Sequence, residues 1–134
     1  MSAKKKSSKQ NPSPRTGEFI WNELVATNEA VAGKFYAGLF GWKAVPFGKG
    51  VEYTLFKQGK DKNGLGGMMK CPHPNLPSHW LPYVCVADVD KSVARAKKLG
   101  AQICVGPMDV PTVGRLAVFV DPQGAAIGIF TPKM

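Results

Sequence analysis

Phe19-Ile20-Trp21-Asn22-Glu23-Leu24 is a strand-like run, followed by a cap at Thr27-Asn28, a helix through Phe35-Tyr36 and a stop at Gly41. The pattern recurs sixty positions on. Leu81-Pro82-Tyr83-Val84-Cys85-Val86 is the second strand-like run, Asp88 the second cap, Val93-Ala94 the second helix and Gly100 the second stop. Each copy continues through short extended segments into an apolar stretch, Leu65 to Met69 and Ala125 to Phe130. A strand-helix-strand unit used twice narrows the fold to a few choices. The expectation is an α+β fold of two βαβββ modules. A helix covers one face of each small sheet, and the other faces curve into a cupped mixed sheet.

The chain has 134 residues, enough for one domain with a real core. Its 44% apolar and 20% charged content is that of an ordinary globular protein. No apolar run reaches the length needed to span a bilayer. The N-terminal lysines have no apolar segment behind them, so a secretory signal is not expected and a cytoplasmic location is. The net charge of +9 is concentrated at one end. Lys4, Lys5, Lys6, Lys9 and Arg15 lie in the first sixteen residues, which hold no acid, and the rest of the chain carries +4. That segment is rich in Ser and Pro, and it lacks apolar residues that would repay ordering. Residues 1–16 therefore read as a disordered, solubilising basic tail. No aromatic residue accompanies the lysines to stack on bases, which argues against nucleic acid as a partner. Cys71, Cys85 and Cys104 make an odd count without paired spacing, which fits free thiols in a reducing compartment.

Asn28 caps the first helix. Val31, Phe35 and Leu39 recur every four residues, with Ala32, Tyr36 and Phe40 one position on, so a broad buried stripe is expected. In the second helix Val89, Val93 and Ala96 face inward and Lys91, Arg95 and Lys98 outward. Asp121-Pro122-Gln123-Gly124 has the residue order of a type I turn. Residues 71–80 carry three prolines and read as a linker between module 1 (about 17–70) and module 2 (about 81–132).

This pattern resembles the vicinal oxygen chelate superfamily, which includes glyoxalase I, bleomycin-resistance proteins and extradiol dioxygenases. The residues that carry the resemblance are Phe35-Tyr36 with Leu39-Phe40-Gly41-Trp42, Val86-Ala87-Asp88-Val89-Asp90 leading to Leu99-Gly100-Ala101, and Gly114-Arg115 with Asp121-Pro122-Gln123-Gly124-Ala125. Within that family the chain is most similar to a glyoxalase-like branch, and single-domain relatives commonly form homodimers. The resemblance places the usual metal-ligand positions on Trp21 and Leu81 in the first strands, and near Met68 and on Gly128 in the last strands. Trp, Leu and Gly offer no side-chain lone pair for a divalent cation, and a Met thioether is a weak donor. The expectation is a protein without metal or other cofactor, with a frame like that of the bleomycin-resistance branch.

What remains is a set of binding candidates. Trp21, Tyr53, Trp80 and Tyr83 are expected to line a cup for a flat or apolar small molecule, or else to serve packing. Glu23 shares a strand face with Trp21. A carboxylate in an apolar cup has a raised pKa and can act as a general base, so Glu23 is also the catalytic candidate; its other reading is a buried structural acid held by Arg115 or the backbone. Arg115 either grips a ligand's carboxylate or phosphate, or pairs with Glu23 or Asp121. Cys71, His73 and His79 match none of the usual zinc spacings. The leading expectation is a metal-free binder of a small apolar or aromatic molecule. The alternative is a lyase, isomerase or dioxygenase with displaced ligands, or a metal-free enzyme using Glu23.

Overall fold

A computed structural model describes residues 15–48, 51–60 and 63–133, with the side chain of Val51 left aside. All but two residues of the basic tail lie outside this range. The elements are β1 (Phe19–Ala26), α1 (Glu29–Phe40), β2 (Lys43–Gly48), β3 (Val51–Lys57), β4 (Gly66–Lys70), β5 (His79–Cys85), α2 (Val89–Lys98), β6 (Gln102–Val110), β7 (Gly114–Val120) and β8 (Ala126–Pro132). The order is βαβββ twice, and the class is α+β. β5 begins at His79, so the stretch read as linker gives its last two residues to a strand.

Contacts divide the chain into two units. The first runs from Trp21 to Leu81. Its strands lie in the order β2-β3-β4-β1. β1 and β4 are parallel, with Glu23 opposite Gly67 and Leu24 opposite Met68. A parallel pair needs a long crossover, and α1 supplies it. Leu24, Ala26, Phe56 and Met68 form the buried core, and Ala32 and Tyr36 of α1 pack on it together with Trp42. The Asn28 side chain accepts from the Val31 N–H at 3.1 Å, capping α1. Gly41 ends the helix in the left-handed region at φ 77°.

The broad buried stripe expected of α1 is not what forms. Only the row through Ala32 and Tyr36 meets the sheet. Val31, Phe35 and Leu39 stand 62%, 58% and 59% exposed. Successive helical residues are turned by about 100°. The neighbouring row therefore lies beyond the reach of a flat sheet.

The second unit contains residues 82–133 and the described residues before Trp21. Its strands lie in the order β5-β8-β7-β6, with β5 and β8 parallel and Tyr83 opposite Gly128. Gly17 N–H donates to Cys85 O and Cys85 N–H to Glu18 O, so residues 17–18 extend this unit's pairing. Val89 and Val93 of α2 pack on Ala117 and Ile129. Asp88 caps α2 through the Lys91 N–H at 3.0 Å. The Asp121 turn forms as read, with Gly124 N–H donating to Asp121 O. Pro46 and Pro107 sit in β2 and β6, the outer strands of the two orders, where a missing N–H breaks no central ladder. No described helix is long and apolar enough to cross a membrane.

Candidate functional site

Alternation along β1 decides what faces what. Leu24 and Ala26 point to α1, so Trp21, Glu23 and Val25 point away from it. On β3 the same rule puts Phe56 under α1 and Tyr53 on the opposite face. The Trp21 indole N–H donates to the Tyr53 hydroxyl at 2.9 Å. That hydroxyl donates to Glu23 Oε1, also at 2.9 Å. Glu23 is only 6% exposed, and it is the one buried charged side chain among the described residues. An unpaired buried carboxylate costs several kcal/mol, and Tyr53 supplies a donor that lowers that cost.

The Tyr53 ring needs room, and Gly67 provides it. A Cβ at Gly67 would lie 1.9 Å from Tyr53 Oη and 2.3 Å from its Cζ. Gly67 is the direct cross-strand partner of Glu23. Met68, the position matched to a last-strand ligand from the sequence, is instead opposite Leu24 and 2% exposed in the α1 core. A shift of one residue exchanges the faces. The register thus moves the expected ligand position from Met68 to Gly67. The Gly66-Gly67 pair inside a strand was the available signal, because glycine there often marks a close approach of neighbouring atoms.

The second unit repeats the arrangement. Tyr83 lies opposite Gly128, and a Cβ on Gly128 would come within 2.4 Å of the Tyr83 ring. In both units the last-strand position is therefore a glycine overlain by a tyrosine ring. No side chain projects there to hold an ion. Among the described residues, no group of three His, Cys, Asp or Glu side chains stands close enough to share one. The residues present do not fit the divalent metal typical of the family's enzymes.

The other candidates are dispersed. Trp80 does not join Trp21, Tyr53 and Glu23. It lies on the α1 side, where its indole N–H donates to Tyr36 Oη at 3.1 Å. Its ring packs edge-on to Tyr36 and Trp42, and tilted on Phe56. A shallow pocket of about 280 Å³ beside it is lined by Asn22, Trp42, Phe56 and Gln58.

Arg115 pairs with neither Glu23 nor Asp121. Its Nε and Nη2 hold both oxygens of Asp90 at 2.9 and 3.0 Å, and Nη1 holds Asp109 at 3.0 Å. Asp109 is its direct cross-strand partner in the β6–β7 hairpin. Hydrogen bonds from the Arg115 guanidinium hold the Asp90 carboxyl below its ordinary range. The same bonds to Asp90, then to Asp109, push the Arg115 pKa up. Cys71 Sγ contacts the carbonyls of His73 and Leu76, and His79 Nδ1 sits 2.8 Å from Pro77 O, so these side chains turn to backbone rather than to one another. All three cysteines are free.

No protein-family model matches the chain. Among curated proteins it is 38% identical over 119 residues to CFP32 of Mycobacterium bovis, a protein named after glyoxylase; the match covers 87% of this chain and 45% of that protein. It is 31% identical over 128 residues to the anthracycline biosynthesis protein DnrV of Streptomyces peucetius, covering 85% of this chain and 46% of that one. The chain thus spans about half the length of the curated relatives it matches. Among solved structures, the H200Q variant of homoprotocatechuate 2,3-dioxygenase from B. fuscum superposes with a TM-score of 0.61 over 92% of this chain and 34% of its own, at 19% identity, which shows a shared fold.

Two outcomes test this geometry. Gly67→Ala should cost about 1–3 kcal/mol in urea unfolding, because the added methyl evicts the Tyr53 ring. The same change in a Tyr53→Ala background should cost much less. Equal costs would show that Tyr53 does not occupy that space. For Arg115, the folded Asp90 pKa is depressed. Its contribution is therefore complete above the unfolded value of about 3.9 and is lost as pH falls through the folded value. The gap in thermal midpoint between the wild type and Arg115→Gln should hold steady above about pH 5 and narrow below about pH 4. A gap unchanged at low pH would contradict the pairing.

Proposed function

The chain belongs to the vicinal oxygen chelate superfamily, and we propose that it serves there as a metal-free binder of a small apolar or aromatic molecule. The observation that carries this is the Trp21–Tyr53–Glu23 relay over Gly67. It joins a tyrosine to the one buried carboxylate among the described residues and fills the last-strand ligand position with a ring. Trp21 and Tyr53 present flat apolar surface, and edge-on contact with Phe47 adds to it. Glu23 adds one strong acceptor. A planar molecule bearing a hydroxyl or amide donor matches that pair of properties: its rings stack on the aromatics and its donor shares the carboxylate with Tyr53.

A second reading rests on the same relay. A buried carboxylate hydrogen-bonded to a phenol is also a proton acceptor placed for acid–base work. The binder reading leads because the Trp21 and Tyr53 rings supply a contact surface and Glu23 a single acceptor beside it. The relatives' names, a glyoxylase and a biosynthesis protein, are compatible with either role, and sequestering, carrying and sensing a ligand all fit the first.

The test begins with native mass spectrometry of protein taken directly from cells, to identify a copurifying small molecule. Its affinity is then followed by tryptophan emission. Tyr53→Ala, which removes a ring the ligand stacks on, should weaken binding by about 10-fold. Glu23→Gln should weaken it more while leaving the fold intact. Unchanged affinity in both variants would remove the ligand from this face. Turnover of the molecule by the wild type that disappears in Glu23→Gln would give the enzyme reading the lead.

A further inference from the structure

The face of the first unit that carries Glu23 also carries two lysines. Phe56 lies in the core under α1, so its neighbour Lys57 points to the opposite face. On β2, a Cβ added to Gly33 of α1 would lie 3.8 Å from Ala44 Cβ, which puts Ala44 under the helix and Lys43 away from it. Lys43 and Lys57 are direct cross-strand partners. Their Cβ atoms are therefore about 5 Å apart on one face. Among the described residues, neither ammonium has a carboxylate within ion-pair distance. Like charges directly opposite each other destabilise a sheet, whereas an opposite pair would stabilise it. A lysine on an outer strand ordinarily serves to block edge pairing. That accounts for Lys43 on β2. It does not account for Lys57, half-buried on the inner strand β3.

The pair is aligned with the site already described. Leu55 is opposite Gly67 and Gly67 is opposite Glu23, so the three make one row across β3, β4 and β1. On β3, Tyr53 lies two residues to one side of that row and Lys57 two residues to the other, each step being about 7 Å. The indole of Trp21 reaches into the interval. A Cβ on Gly64 would lie 3.5 Å from both Trp21 Cη2 and Leu55 Cδ2, so the outer ring of the indole extends toward Leu55. Along β3 the face thus runs from Tyr53, past Leu55 and the Trp21 ring, to the lysines.

We propose that Lys43 and Lys57 hold an oxyanion of the ligand, which makes the molecule bound on this face a planar acid. This rests on the binder reading above and adds the charge of what is bound. The ring of the acid covers Trp21 and Leu55, and its oxyanion meets the two ammonium groups. Its donor, about one ring's width away, meets Glu23. Two cations that repel each other in the free protein are both satisfied once an anion lies between them. The field of the whole chain acts in the same direction, because a net charge of +9 attracts anions.

Fluorescence titration of the full chain with two probes tests it. One is anilinonaphthalene sulfonate, and the other is N-phenylnaphthylamine, which has the same rings without the anion. Both should bind, and Tyr53→Ala should weaken both, which places them on this face. Added salt should weaken the sulfonate alone. Lys57→Met should weaken the sulfonate by about 3-fold and Lys43→Glu by about 10-fold, with the neutral probe unchanged by either. Lys43→Glu should also hold or raise the thermal midpoint, since it turns a like pair into an opposite one, so its loss of binding is not a loss of fold. Sulfonate affinity that survives both lysine variants, or that falls only in step with the neutral probe, would overturn the proposal and leave the binder reading standing. A neutral probe that does not bind, or that ignores Tyr53→Ala, would remove the binder reading and the proposal with it.

Discussion

A carboxylate taken out of water must be met by donors, and Glu23 at 6% exposure sets that demand on β1. The demand is met from another strand, through the Tyr53 hydroxyl at 2.9 Å, and Tyr53 is itself steadied by the Trp21 indole. This chain of bonds determines its surroundings. The ring of Tyr53 can reach Glu23 only if β4 presents no side chain there, so residue 67 must be glycine. β1 must sit parallel to β4 in the register that puts Glu23 opposite that glycine. The crossover that a parallel pair requires is α1, whose cap at Asn28 and stop at Gly41 define its length.

The second unit reaches a related arrangement by a different route. There the ring is Tyr83, carried by β5 itself and lying over Gly128 of β8. Each of the two modules thus has a glycine under a tyrosine ring at this last-strand position. The family resemblance would put a metal ligand at that position. In this chain it supports an aromatic surface. This links the fold, which the chain shares with a dioxygenase, to a different proposed use of it.

Much of the architecture was legible from local chemistry. Asn28, Asp88, Gly41, Gly100 and the Asp121 turn carry their signals within a few residues, and the doubled pattern they punctuate led to the βαβββ repeat. Glu23 and Trp21 were placed together by alternation along one strand, and Tyr53 does join them. The misses share one cause, because they depend on a neighbour distant in sequence. The resemblance places a last-strand position only near Met68, because the β1–β4 register is what distinguishes the faces of Met68 and Gly67. Of the two readings of Trp80, lining with Trp21 or packing, its strand decides for packing by presenting it to Tyr36. Of the roles open to Arg115, a ligand grip or a pair with Glu23 or Asp121, neither pair forms, because the hairpin register sets it beside Asp109 and the start of α2 sets it beside Asp90. The α1 stripe misled differently. Its periodicity is real, but half of it faces away from the unit that carries it.

The account turns on whether the superfamily's metal position has been given up in this protein. Metal content per protomer, measured by plasma mass spectrometry on protein purified without tag or chelator, addresses that most directly. The account predicts less than about a tenth of an equivalent of each transition metal, because no adequate donor set exists at either glycine. About one equivalent of zinc, nickel, iron or manganese, lost in Glu23→Gln, would contradict it and would make Glu23 a metal ligand rather than the partner of Tyr53.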